Sequence, residues 1–224
     1  VEFVLYLLGG VLDILSVLLL ILTLFGFGIR DNLKYMLFVS VLIVLPSYPL
    51  RILELDAVDI IAHTILLFLS LRMIFLIPLL YAFLVMIIGY IVFVLIQYFL
   101  LLGAGELDID PLSIKARIYQ AVTFLIIAGI CYFLRRKKLH FSFVPDDLRT
   151  RVKLTTIHRQ LVVLSVFAFF LLIYGLTHAY YIGDLLILLP IFYIVIGVFV
   201  LFLILFIKIE YKRGRERRKK YGGV

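Results

Sequence analysis

Residues 79–102 read LLYAFLVMIIGYIVFVLIQYFLLL, and no charged side chain interrupts them. At about 1.5 Å per residue such a run covers the roughly 30 Å hydrocarbon layer of a bilayer. It is apolar on every side, which predicts a membrane-spanning helix and not an amphipathic one resting on a soluble core.

Further apolar segments lie near 3–29, 35–50, 57–76, 117–134, 161–178 and 185–207. Together they predict an all-α, polytopic transmembrane bundle of seven spans over residues 1–207, followed by a basic tail at 208–224. The whole composition agrees: 65% of the 224 residues are hydrophobic and 16% charged, with a mean hydropathy of +1.22. A soluble domain carries about a quarter charged residues, and one core cannot bury the excess apolar surface found here. The first segment is too long for a signal-peptide core and has no small-residue cleavage pattern, so it reads as a retained helix. The second is the shortest, and Pro46 and Pro49 near its end predict a kink or a stop, since proline removes amide donors. Six spans with a re-entrant hairpin is therefore the competing count. The third and fourth segments are separated only by Leu76-Ile77-Pro78.

Charge sets the orientation. With the N-terminus outside, every lysine and arginine except Arg51, Lys115 and Arg117 falls in a cytoplasmic loop or in the tail. The two large blocks are Arg135–Lys138 with Arg149, Arg151, Lys153 and Arg159, and Lys208–Lys220. The outward loops hold Glu54, Asp56, Asp59, Glu106, Asp108, Asp110 and Asp184 instead. The opposite orientation reverses the bias of short loops, so the expectation is N-out and C-in. Pro145-Asp146-Asp147 predicts a helix start, where acids cap free amides and favour the positive end of the dipole. From Leu148 one helix of about 30 residues, on the order of 45 Å, is expected to run into the sixth span.

Charged and strongly polar side chains inside hydrocarbon are costly and mark candidate sites. Asp13 is the acid well inside a predicted span; His63 lies in the third span and Gln97 in the fourth. Counted from the outer ends, Asp13 lies about 15 Å deep, His63 about 9 Å and Gln97 about 8 Å. All three fall in the outer half and predict a ligand pocket open to the exterior, with Tyr6, Ser16 and Thr64 nearby. The plainer alternative is that each bonds a neighbouring helix and holds the bundle together. Arg72 is expected to snorkel to the inner headgroups. Tyr48, Tyr180, Tyr181, His178 and Asp184 read as an interfacial belt, and Gly9-Gly10 and Gly26/Gly28 as points of close helix approach.

Several chemistries are excluded or disfavoured. The single cysteine, Cys131, rules out an internal disulfide framework and a thiolate-rich metal site. It sits inside a span with neither His140 nor His158 in a fixed local pattern beside it, so a buried structural thiol is the better reading than a nucleophile. No zinc-peptidase, nucleophile-elbow, Walker or dinucleotide pattern occurs, and no cofactor, metal or catalytic residue is expected. The net charge of +8 lies in membrane flanks, which points to anionic lipid and away from nucleic acid.

The stretch His63-Thr-Ile-Leu-Leu-Phe-Leu-Ser-Leu-Arg-Met-Ile-Phe-Leu-Ile-Pro-Leu-Leu-Tyr81, followed by Ile88-Gly-Tyr-Ile, resembles the membrane domain of Agr-type peptide-sensing histidine kinases. The likeness covers mainly residues 57–102. It implies a multi-pass protein of a bacterial cell membrane, engaged in signal transduction and quorum sensing. After Lys220 the sequence reads Tyr-Gly-Gly-Val, without a phosphoacceptor-histidine segment or a nucleotide-binding domain. The expectation is either a truncated sensor domain or a free-standing relative lacking kinase activity. The leading expectation is a receptor-like, non-catalytic protein that senses, or assists in sensing, a small extracellular ligand such as a peptide, through Asp13, His63 and Gln97. The alternatives are a small transporter or channel subunit, and a scaffold that binds a partner membrane protein or a second copy of itself.

Overall fold

The computed structural model describes residues 2–53, 55–104 and 113–141, with isolated helical positions between 163 and 204. Over the described residues the protein is all-helical. The order is α1 (Glu2–Leu24), α2 (Ile29–Ile52), α3 (Asp56–Met73), α4 (Leu79–Ala104) and α5 (Ile114–Arg136). Four of these, α1, α2, α4 and α5, are long and apolar enough to cross a bilayer. The chain is a multi-pass helical membrane protein.

The helix faces show lipid's influence independently of hydropathy. On α2 the buried positions include Ser40 and Ser47, while Leu37, Phe38, Val41, Leu42 and Leu45 point outward. Water would reverse that preference; hydrocarbon rewards it, because polar groups must then find partners inside. On α3 the outward stripe is Val58, Ile61, Ile65, Leu69 and Met73, and the buried positions include Asp59, Leu67, Ser70 and Leu71.

Residues 1–140 with 146–148 form one compact unit. Within it α1 is central, packing against α5, α2 and α4, while α3 bridges α2 and α4. Tyr6 near the start of α1 meets Ser47 near the end of α2, and Arg51 of α2 meets Asp59 at the start of α3. These neighbours are therefore antiparallel. Two glycines allow the closest approaches: a Cβ on Gly10 would strike Val44 of α2, and one on Gly89 of α4 would strike Ile21 of α1. Residues 84–89 of α4 are buried on all sides, as a helix apolar all round requires.

The helix limits correct the sequence reading in places. The first helix stops at Leu24, short of 29. Gly26 takes φ 77°, and the bonds from Phe27 N to Leu22 O and from Gly26 N to Thr23 O form a Schellman stop. The second helix is longer than 35–50 and runs through both prolines. Each proline deletes one amide, but in lipid an unwound segment would strand several, so the helix persists. The connection after α3 occupies 74–78, with Leu76 at φ 55°. There Arg72 Nη1 donates to the Ile77 carbonyl at 3.3 Å, so the guanidinium closes the turn.

The second unit comprises 141–145 and 149–224. Its described positions in the predicted sixth span (163, 164, 166, 167, 170 and 171) and seventh span (194, 197, 200, 201 and 204) are helical. Val163, Phe167 and Phe170, and likewise Ile194, Val200, Leu201 and Ile204, are exposed. The predicted helix start at Pro145, the long helix from Leu148, the Tyr180–Asp184 belt and the basic tail lie outside the described residues.

A candidate polar site at one end of the bundle

The end of the first unit where α1, α3 and α5 begin and α2 and α4 finish holds a set of polar side chains that bond one another between helices. Each helix contributes by spacing. On α1, Tyr6, Gly9 and Asp13 lie along one face at steps of three and four residues; Arg117 and Gln120 on α5 are three apart. Ser47 and Arg51 on α2, and Asp59 and His63 on α3, are each four apart. Such offsets stack side chains on one helical face.

Asp13 is the hub of the first group. Gln120 Nε2 donates to its Oδ2 at 2.6 Å, and Gln97 Nε2 from α4 donates to its Oδ1 at 3.4 Å. Behind Gln120, Arg117 Nη1 donates to Gln120 Oε1 at 2.6 Å and to the Tyr6 carbonyl at 3.3 Å. The Arg117 guanidinium also lies over the Tyr6 ring, 4.9 Å from its centroid, a cation–π contact. The Tyr6 and Ser47 hydroxyls share a hydrogen bond of 2.6 Å, and Tyr48 stacks against Phe3 and Tyr6. Any side chain at Gly9 would collide with Arg117 and Gln120. The small residue there is what lets the α5 pair lie across α1.

The second group joins α2 to α3. Arg51 Nε donates to Asp59 Oδ2 at 3.1 Å, and His63 Nε2 stands 3.8 Å from Asp59 Oδ1. The Asp59 side chain is only 1% exposed, against 16% for His63 and 29% for Arg51. Neither Asp59 Oδ1 nor His63 Nε2 has a hydrogen-bond partner. Tyr90 of α4 lies within electrostatic range of Asp13, Asp59 and Arg51.

Of the three predicted site residues, the structure brings Asp13 and Gln97 together and seats His63 in the second group, against Asp59. Ser16 and Thr64, expected beside them, bond the carbonyls of Leu12 and Ile60 on their own helices instead. Asp59 is not a loop acid, as the charge pattern predicted; it lies in the first turn of α3 and is buried. Arg51, Arg117 and Gln120 were also missed as site residues. Their signal was present in the i,i+3 and i,i+4 offsets to other polar residues, but the fifth segment was drawn to begin at Arg117, so its first turn read as a loop. At the opposite end Cys131 is buried. Among the described residues no three histidine, cysteine, aspartate or glutamate side chains converge as a metal site.

Asp13 offers a carboxylate held by neutral amide donors, and the bond from Gln97 is the longest of its contacts. No protein-family model, curated protein or solved structure matches the chain.

Proposed function

We propose that this protein is a receptor-like, non-catalytic membrane protein of seven spans, N-out and C-in, that senses or helps to sense a small extracellular ligand, a peptide foremost. The count takes α1–α5 and the segments 161–178 and 185–207. Including α3 is supported by its wholly aliphatic outward stripe, since its charges sit at its ends and on the inward side, and its 18 residues reach about 27 Å. The orientation rests on the lysine and arginine asymmetry, and under it the polar site faces the exterior.

The observation that carries the reading is the bond of 3.4 Å between Gln97 and Asp13. A ligand N–H, from a peptide amide or a terminal ammonium, is a better donor to Asp13 Oδ1 than Gln97 at that distance. Taking that oxygen removes the polar tie between α4 and α1 while Gln120 keeps its bond from α5. Binding then becomes a change in helix packing, since a ligand shifts a conformational equilibrium by its differential contacts with the two states. The resemblance of residues 57–102 to peptide-sensing kinases points the same way.

Cysteine labelling tests both parts. In a Cys131→Ser background, Gln97→Cys is expected to react with a membrane-impermeant maleimide added outside intact cells, while Tyr132→Cys is not. A pool of short synthetic peptides with free amino termini, in excess, is expected to slow the reaction at position 97. Labelling of position 97 only after the cytoplasmic face is opened sinks the orientation; labelling indifferent to every peptide sinks the ligand.

A further inference from the structure

The Asp59–His63 pair poses a question that the Asp13 group does not. The His63 ring reaches toward the Ile43 backbone carbonyl on α2. We assign the proton of the neutral ring to Nδ1, which accords with the lack of a partner at Nε2. A neutral ring that donates from Nδ1 carries its lone pair on Nε2. That lone pair faces Asp59 Oδ1, also an acceptor and also unpartnered, across 3.8 Å. Two acceptors oppose each other in a buried setting, and an orphaned buried polar atom calls for an explanation.

We propose that the space between Asp59 Oδ1 and His63 Nε2 is a proton-binding site, and that an external proton taken up there closes a clasp between α2 and α3. A proton on Nε2 makes the ring a double donor, to the Ile43 carbonyl on one side and to Asp59 Oδ1 on the other. Asp59 is then held at both oxygens, by Arg51 and by His63, and α3 is fastened to α2 at two levels. A distance of 3.8 Å needs only a small rotation of the ring to become a charge-assisted bond. Asp59 and His63 lie a single helical turn apart, so the closure strains neither backbone.

The surroundings select a proton over a metal ion. Among the described residues no third histidine, cysteine, aspartate or glutamate joins the pair, and Arg51 sits on the other carboxylate oxygen, where it opposes a divalent cation. The charged and titratable groups near the pair are Arg51 from α2, Tyr6 from α1 and Tyr90 from α4. Among the described residues Asp59 is the acid set directly against the imidazole. This inference uses neither Asp13 nor Gln97 and so stands apart from the ligand reading; that the proton comes from outside rests on the orientation proposed above.

The test is a titration of the full-length chain in lipid nanodiscs, with nitrogen-15 histidine followed by NMR and the His63 signals assigned by their loss in His63→Gln. Between about pH 8 and about pH 4, the range that spans ordinary histidine behaviour, the His63 nitrogens are expected to change from the neutral to the charged pattern. Asp59→Asn is expected to lower the midpoint by at least about one pH unit, a tenfold loss of proton affinity. Arg51→Gln is expected to raise it. Opposite shifts distinguish a shared proton from general loosening, which would move both the same way. Midpoints unmoved by either variant overturn the proposal. If neither variant folds, a wild-type ring that stays neutral throughout also overturns it. Stoichiometric zinc that displaces the proton at micromolar concentration would make the gap a cation site and overturn the proton reading.

Discussion

Asp13 and Asp59 are two acids at the same end of one helical bundle, and they are held in opposite ways. Asp13 accepts from a glutamine amide at each oxygen, and its counter-charge, Arg117, stands one residue further back. Asp59 takes an arginine directly on one oxygen and leaves the other unpartnered. The first is an acid cradled by amides; the second is an ion pair with a gap. A membrane bundle can thus hold one acid between amides and tie another to a neighbouring helix by charge. The difference lies in whether amides or a guanidinium reach it first.

Removing the Asp59 carboxylate is expected to have the largest effect. Asp59→Ala removes the carboxylate that Arg51 bonds and opens a space at a site now 1% exposed. Breaking a buried pair from one side costs about 3–5 kcal/mol. Arg51 is part-exposed, which places the expected loss near the lower figure, about 3 kcal/mol. Unfolding of the full chain in mixed micelles by increasing sodium dodecyl sulfate, followed by circular dichroism, checks it. A loss no greater than that of an alanine at an outward aliphatic position such as Ile65 would show that the pair contributes nothing.

The cradle is vulnerable elsewhere, at a residue with no polar atom in its side chain. Gly9→Ala puts a methyl group where Arg117 and Gln120 now lie. Overpacking of this kind costs about 1–3 kcal/mol, and the same unfolding measurement reads it. If collision is the cause, Gln120→Ala in the same chain is expected to recover part of the loss. The pair of substitutions then costs less than the sum of the two singly, as neighbours that share space do. Strict additivity would mean that Gly9 and Gln120 act apart.

How much of this was legible beforehand follows from the physics of each feature. The five described helices all fall on predicted segments, because hydrocarbon thickness sets a length that hydropathy reads directly. Their ends were less legible, since α1 stops by a Schellman turn at Gly26 and α2 continues through Pro46 and Pro49. The sequence carries the glycine and the prolines but not the lipid-imposed cost of unwinding. Depth counting along each span brought Asp13 and Gln97 to the same end, and the structure joins them. It placed His63 there too, but depth says nothing about which face a side chain occupies, and His63 turned toward Asp59. Arg51, Asp59 and Arg117 were read as loop charges because orientation rules count charge by loop, and a residue one turn inside a helix is indistinguishable from one just outside it.

Asp13→Asn separates the two carboxylates most finely. The substitution keeps the shape and removes the charge, so Gln120 can still donate to the remaining carbonyl oxygen. Gln97, whose present bond is 3.4 Å, needs only to turn its amide over to accept from the new NH2 group. What disappears is the attraction to Arg117, transmitted through Gln120. Hydrogen bonds between helices in a bilayer average about 0.6 kcal/mol, and a charged acceptor adds to that. The expected loss is therefore about 1 kcal/mol, a third of that for Asp59→Ala, measured by the same unfolding in mixed micelles. A loss as large as that of Asp59→Ala would mean that the cradle is held by charge, with Arg117 acting on Asp13 as directly as Arg51 acts on Asp59. The two acids would then be two copies of one device, and a ligand N–H would have no weakly held oxygen to claim.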